Sequence, residues 1–206
     1  MLITKNLILR DFIESDINTR IHWETVETEW QLWDAPWEYD EMNDTEKQEE
    51  LAHYIGMMRQ WVEYYRNLPV DTRRNTFQIV TNDAAHTYIG WVNAYRIDDN
   101  FCYTKQNGHC TVGINIPAMD ARGKGFSYQA LGTFIDYLLA CGEPGIYTQT
   151  WSGNVRMIHI AEKIGFEECC RKVGIRTVRG KSYDGLTFRL NKEKYDAHRN
   201  GAKTCL

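Results

Sequence analysis

Apolar residues recur at steps of three and four in four stretches of the chain. In seven others they alternate or run together between turn formers. Leu51, Tyr54, Ile55, Met58, Trp61, Val62 and Tyr65 share one helical face, which predicts a long amphipathic helix ending near Asn67 and Pro69. Ahead of it, Thr45-Glu46-Lys47-Gln48 has the spacing of a capping box. Ser15 or Asp16 caps a shorter helix carrying Ile17, Ile21 and Trp23, broken by Pro36 and the polar stretch to Asp44. A third helix runs through Phe126, Ala130, Leu131, Phe134, Ile135, Leu138 and Leu139 and stops at Gly142 and Pro144. The fourth opens at Asn154, carries Val155, Ile158, Ala161 and Ile164, and ends on Gly165.

The β-rich runs are 2–10, 76–81, 87–97, 109–116, 146–151, 167–178 and 183–190, with Asn82-Asp83-Ala84-Ala85 reading as a hairpin turn. Strands interleaved with helices in this order predict a mixed α/β (α+β) fold, one sheet of about seven strands with helices on both faces. At 206 residues the chain is expected to form a single domain.

Composition narrows the function classes. With 43% hydrophobic and 25% charged residues the chain has material for a sizeable core. A net charge of −4 gives no footprint for coating nucleic acid, so no nucleic-acid partner is expected. Cysteines at 102, 110, 141, 169, 170 and 205 include no CxxC spacing, which suggests neither a metal site nor a secreted disulfide framework but a reduced, cytoplasmic protein. Met1 to Asn6 lacks the start of an export signal, and no apolar run approaches about 18 residues, so no membrane partner is expected.

The charge is unevenly spread. Glu24 to Glu50 holds eleven acidic residues and one basic, a local −10, while Arg171 to Leu206 carries +7. Four of the seven tryptophans, Trp23, Trp30, Trp33 and Trp37, fall within one fifteen-residue stretch that overlaps that acidic region, as a core or as a binding surface. Carboxylates beside aromatic faces suit a cationic amine, which marks Trp33, Asp34, Trp37 and Glu38 as candidate substrate contacts; packing of the region accounts for at least half of the aromatics.

The strongest local signal is Ala121-Arg122-Gly123-Lys124-Gly125-Phe126-Ser127, after a strand and before a helix. Such a turn points backbone N–H groups outward at the positive end of the helix dipole, where a pyrophosphate fits; a tight connection using glycine for its freedom is the plainer reading of the loop alone. Further on stands Ser152-Gly153-Asn154-Val155-Arg156-Met157 leading to Glu162-Lys163-Ile164-Gly165-Phe166. Together the two segments resemble the GCN5-related N-acetyltransferase (GNAT) family: Arg122, Gly125 and Ser127 are similar to its Arg/Gln-x-x-Gly-x-Gly/Ala acetyl-CoA signature, and the second segment to its Asn-opened helix ending in Glu-Lys-x-Gly-Phe. Leu7-Ile8-Leu9-Arg10-Asp11-Phe12 and Gly180-Lys181-Ser182-Tyr183-Asp184-Gly185-Leu186-Thr187-Phe188 resemble the start and end of the branch that acetylates ribosomal-protein N-termini.

The resemblance implies a splayed, mostly antiparallel sheet opened between strands 109–116 and 146–151, with acetyl-CoA as cofactor. Backbone groups near Ile114 and Ile116 would bond the pantetheine arm, N–H groups of Arg122, Gly123, Lys124, Gly125, Phe126 and Ser127 the pyrophosphate, and Asn154 the pantetheine. It also implies an acceptor lobe over about 11–75, a cofactor-binding core over 76–166 and C-terminal strands and tail over 167–206.

For catalysis, a primary amine attacks a thioester only when neutral, although its solution pKa is about 8 to 10.4. His109 and Thr111, two apart on one strand face, and Ser152, placed to protonate a leaving thiolate, are the candidate catalytic residues; Asp34 and Glu38 are alternative proton acceptors or cation anchors. Thr111 stands where many members carry Glu, and Met157 and Ala161 where many carry Ser or Tyr. The expected function is therefore acetyl transfer from acetyl-CoA to a small cationic amine or a peptide N-terminus, by direct attack and in a monomer or a homodimer. A catalytically idle acyl-CoA-binding module is the alternative.

Overall fold

The computed structural model describes the backbone of residues 1–40 and 42–204 and the side chains of residues 1–38 and 42–199. The chain divides into two compact units, Met1–Trp91 with Asn115–Phe126, and Val92–Ile114 with Ser127–Leu206. Among the described residues there are nine strands and six α-helices, none of the helices long and apolar enough to cross a membrane.

In the first unit the opening run is two strands, β1 (Leu2–Ile3) and β2 (Leu7–Arg10), because Thr4 folds the chain back. The Thr4 N–H donates to the Leu7 carbonyl at 2.8 Å, and the Leu7 N–H donates to the Thr4 hydroxyl at 3.0 Å. β2 pairs antiparallel with β3 (Thr76–Thr81) in the register Leu7↔Thr81 and Leu9↔Ile79, and the alternation buries Leu7 and Leu9 completely.

Helix α1 (Asp16–Thr25) starts where the sequence places it, but Ser15 makes no side-chain cap bond. Asp16 holds the entry instead: its buried carboxylate accepts two Arg10 N–H groups at 2.6 and 2.7 Å and the Ile13 N–H at 3.0 Å. The polar break expected before Asp44 contains a 3-10 turn, Thr28–Leu32, and a short helix α2 (Pro36–Asp40). Its leading proline suits a first helical position.

The long helix α3 (Asp44–Asn67) ends as expected. Its capping box lies two residues earlier than the Thr45–Gln48 pattern: the Asn43 side chain accepts from the Thr45 and Glu46 N–H groups, and Glu46 accepts from the Asn43 N–H. Both patterns fit the sequence, and asparagine is the stronger cap. Phe12, Ile17, Met58 and Val62 pack α1 against α3, while Trp23, Trp30, Val80, Tyr88 and Trp91 form a second core with β4 (Tyr88–Ile97).

In the second unit the strand order is β4, β6 (His109–Asn115), β7 (Ile146–Trp151), β9 (Lys181–Leu190) and β8 (Phe166–Val178), with β5 (Tyr103–Thr104) also beside β4. β6 and β7 run parallel, while β4/β5, β7/β9 and β8/β9 are antiparallel. Helices α4 (Phe126–Ala140) and α5 (Val155–Ile164) match expectation, and Gly165 closes α5 at φ 110°.

Helix α6 (Lys192–Thr204) is not legible in the pattern, because separate contacts anchor it: the Lys194–Glu167 and Arg199–Asp136 ion pairs and the Tyr195 ring. That ring is 2% exposed, and its hydroxyl donates to the Gly132 carbonyl at 2.8 Å and lies 2.6 Å from the Asp136 carboxylate.

Candidate functional site

In the second unit β6 and β7 pair over Cys110↔Ile146, Thr111↔Tyr147 and Val112↔Thr148, with the Thr148 hydroxyl donating to the Val112 carbonyl at 2.8 Å. Beyond that point Gln149, Thr150 and Trp151 pair with β9 alone, so pairing of β6 with β7 stops before Gly113 and Ile114. An extended ligand arm can add to a strand edge released in this way. Ile114 lies on this stretch; Ile116 lies past the end of β6, and its carbonyl accepts the Arg122 Nε at 3.0 Å.

In the first unit the residues after β6 form the glycine-rich turn. Gly123 and Gly125 have φ of 73° and 76°, a conformation that side chains resist, and a Cβ built on either meets nothing within 4 Å. The backbone at both glycines is therefore clear of neighbouring atoms, so that a ligand can approach it. The helix that follows has no acidic residue in its first turn, which leaves its positive end uncompensated. Each unit by itself thus offers one feature that suits part of acetyl-CoA: a released strand edge in the second, and a glycine turn ahead of an uncompensated helix end in the first. The Arg122 side chain is turned elsewhere: besides Ile116 it bonds the Pro117 carbonyl at 3.0 Å and pairs with Glu29.

Asn154 caps α5, its side-chain oxygen accepting from the Met157 N–H at 3.0 Å. Gly153 ahead of it is obligatory, since a Cβ there would lie 1.8 Å from the Trp151 ring. The Ser152 hydroxyl oxygen accepts the Asp184 N–H at 2.9 Å, which leaves its own proton to donate.

The strand candidates are placed differently from expectation. Thr111 is fully buried, and its hydroxyl donates to the His109 carbonyl at 3.3 Å. His109 sits at the paired end of β6, its Nε2 3.0 Å from Asp99 and its ring 4.8 Å from Tyr147. Met157 and Ala161 belong to the buried face of α5, where hydrophobic side chains are what packing requires.

The acidic region of the first unit divides along its aromatics. Trp30 goes to the core and donates its indole N–H to the Trp23 carbonyl at 2.9 Å. Trp33 and Trp37 stay half-exposed, and the Trp33 N–H bonds Glu29 at 2.8 Å. Asp34 is crowded by surrounding protein while keeping an exposed face. Desolvation, reinforced by Glu38, pushes its carboxyl up to about 6 against the opposing hydrogen bond from Asn115. Desolvation also raises Glu24, which Arg20 and Gln31 partly offset, the latter at 3.1 Å. Glu38, whose charge reaches Asp34, also borders an open groove of about 620 Å³ together with Trp37, Glu46, Glu49, Glu50 and His53. Sequence reasoning missed Glu24, Glu29 and Asn115 here, because their contacts join segments that carry no shared pattern.

Residues 6–167 match the family model described as an acetyltransferase (GNAT) domain. An SPbeta prophage-derived uncharacterized N-acetyltransferase, YokL, of Bacillus subtilis (strain 168) is 23% identical over 141 residues, 68% of this chain and 72% of its own length. Among solved structures, spermidine N-acetyltransferase from Vibrio cholerae with CoA and spermine is similar at TM-score 0.60 and 19% identity, over 93% of this chain and 99% of that one. RimL, the ribosomal L7/L12 alpha-N-protein acetyltransferase, in complex with CoA, is similar at TM-score 0.61 and 12% identity, over 91% and 95%.

Proposed function

The chain belongs to the GNAT acetyltransferase family and is an N-acetyltransferase that uses acetyl-CoA, and from that premise we propose that its acceptor is the primary amine of a small compound with more than one positive charge. The observation that carries this reading is the carboxylate cluster of the acidic region: Asp34, whose carboxyl is pushed up by desolvation and the neighbouring Glu38 charge, and the groove that Glu38 borders with Trp37. A cation beside Asp34 and Glu38 relieves the repulsion that Glu38 imposes on the Asp34 carboxylate. The groove beyond, with Glu46, Glu49 and Glu50, gives the remaining charges of a flexible cation somewhere to lie.

Bound acetyl-CoA supplies an acetyl thioester whose carbonyl carbon is open to attack. The N–H groups of residues 122–127 would hold its pyrophosphate, the released edge of β6 at Gly113 and Ile114 would bond its pantetheine arm, and Asn154 would contact the same arm. On the amine side, Asp34 and Glu38 draw in the ammonium group, with Trp33 and Trp37 offering ring faces. Asp34 then takes the proton that the amine must lose, directly or through water, and Ser152 donates one to the departing thiolate. In this reading residues 11–75 serve the amine, 76–166 the cofactor, and 167–206 complete the domain. The opening and closing segments support kinship with the ribosomal-protein N-terminal branch, while the local charge of −10 favours a small polycation over a peptide N-terminus.

Thiol release from acetyl-CoA, measured over a panel of acceptors, tests the proposal. Specificity should climb from monoamines through diamines to spermidine. A preference for peptide N-termini or uncharged amines would overturn it.

A further inference from the structure

Glu29 stands in the 3-10 turn between the two cores of the first unit's sequence and the exposed Asp34. One of its carboxylate oxygens accepts the Trp33 indole N–H at 2.8 Å, and the other pairs with Arg122. Arg122 spends its other two bonded nitrogens on the Ile116 and Pro117 carbonyls, both at 3.0 Å. A guanidinium used as a three-way fork fixes the backbone next to it, because its donors point in set directions.

That fixing matters where it occurs. Gly123 and Gly125 follow directly, have nothing near their Cβ positions, and so are held by no packing of their own. At the other end of the same connection, Asn115 bonds Asp34, and its carbonyl lies so close to β4 that a Cβ on Gly90 would come within 2.1 Å of it. Both ends of the segment 115–122 are thus tied to residues 29–34. The Glu29 and Arg122 side chains are only 32% and 24% exposed, so their attraction is less screened than that of a surface pair.

We infer that Glu29 is a positioning residue that couples the acetyl-CoA loop to the amine lobe: ordering of residues 122–127 by the cofactor fixes Trp33, and with it the neighbouring Asp34. The inference rests on the assignment of the loop and of Asp34 given above. Two sites joined in this way bind cooperatively and reciprocally, with effects commonly of roughly 5–150-fold.

The test uses the full chain labelled with 5-fluorotryptophan, the Trp33 resonance being assigned with Trp33→Phe, and unreacted CoA as the probe. Adding CoA to the wild type should shift or sharpen that resonance. Glu29→Gln, which removes the ion pair while retaining an oxygen for the indole, should abolish the response although calorimetry still shows CoA binding, weakened by about tenfold at most. Arg122→Lys, which retains the charge and removes the fork, should do the same and serves if Glu29→Gln fails to fold. An identical Trp33 response in wild type and variants, or silence in the wild type while CoA binds, overturns the coupling. Undiminished CoA binding by Gly125→Asp would overturn the loop assignment instead, and the Trp33 spectra would still decide the role of Glu29. A wild type that binds no CoA would overturn both.

Discussion

Around Gly123 and Gly125 the chain offers open backbone at positive φ with the exposed Lys124 between the glycines, whereas the described residues of 24 to 50 present carboxylates and indoles carried on the facing ends of α1 and α3 and on the short turns between them. The first region needs a conformation, positive φ with open space above it, and nearly any sequence that supplies the glycines supplies the site. The second needs particular side chains brought to particular depths. Asp34 has its raised affinity for a proton from desolvation and from the neighbouring Glu38 charge, against the hydrogen bond from Asn115, not from its own identity. A cofactor common to a whole family can be held by backbone; an acceptor that distinguishes one member from another must be read by side chains.

The largest effect that separates the two regions is expected at Gly125. Gly125→Asp puts a carboxylate at the anion cradle and a side chain at φ 76°, and should weaken CoA binding by about 100-fold or more by calorimetry. Thermal stability should fall far less, since the added Cβ meets nothing. Asp34→Asn is the complementary change: CoA affinity should be unaffected while kcat/KM for spermidine falls by about 100-fold. Equal damage to both constants by either substitution would break the division into a backbone-built and a side-chain-built region.

Gly153→Ala sharpens the comparison from inside the cofactor-binding half. Its Cβ would collide with the Trp151 ring at 1.8 Å, so a loss of about 1–3 kcal/mol in urea unfolding is expected. Gly125→Ala has no such neighbour and should cost about 1–2 kcal/mol, from backbone strain alone. The smallest effect concerns stability and pH. The folded Asp34 carboxyl titrates near 6, above its ordinary value of 3.8, so the native state holds a proton more tightly than the unfolded chain. Stability is therefore lost as pH rises from about 4 through 6, and Asp34→Asn should restore it at pH 7. Because the carboxylate keeps an exposed face, the gain should be about 1 kcal/mol or less, seen as a higher unfolding midpoint at pH 7 and little change near pH 4.

The same contrast explains what the sequence could reveal. Strand 146–151, the Asn154 cap, the Gly165 stop and the glycine turn are each written in one contiguous stretch, and the fold reproduces them. Helix α6 rests on a buried tyrosine and on ion pairs to distant segments, which no periodicity announces. Thr111 and His109 share a strand face by spacing, yet only burial reveals that Thr111 is sealed in the core and that His109 is engaged by Asp99 and Tyr147. Trp30 and Trp33 stand three residues apart; one donates its N–H to the Trp23 carbonyl in the core and the other to Glu29 of its own turn, a difference of partner that the spacing does not show.

The claim that the acidic lobe handles the amine's charge and proton is tested most directly by the pH dependence of kcat/KM for spermidine, at saturating acetyl-CoA, from pH 5 to 8. Wild type should rise through an apparent pKa of about 6 as Asp34 ionises, before the further climb caused by the amine losing its own proton. Asp34→Asn should lack the lower limb and retain the upper one. Superimposable profiles for the two proteins between pH 5 and 7 would contradict the account.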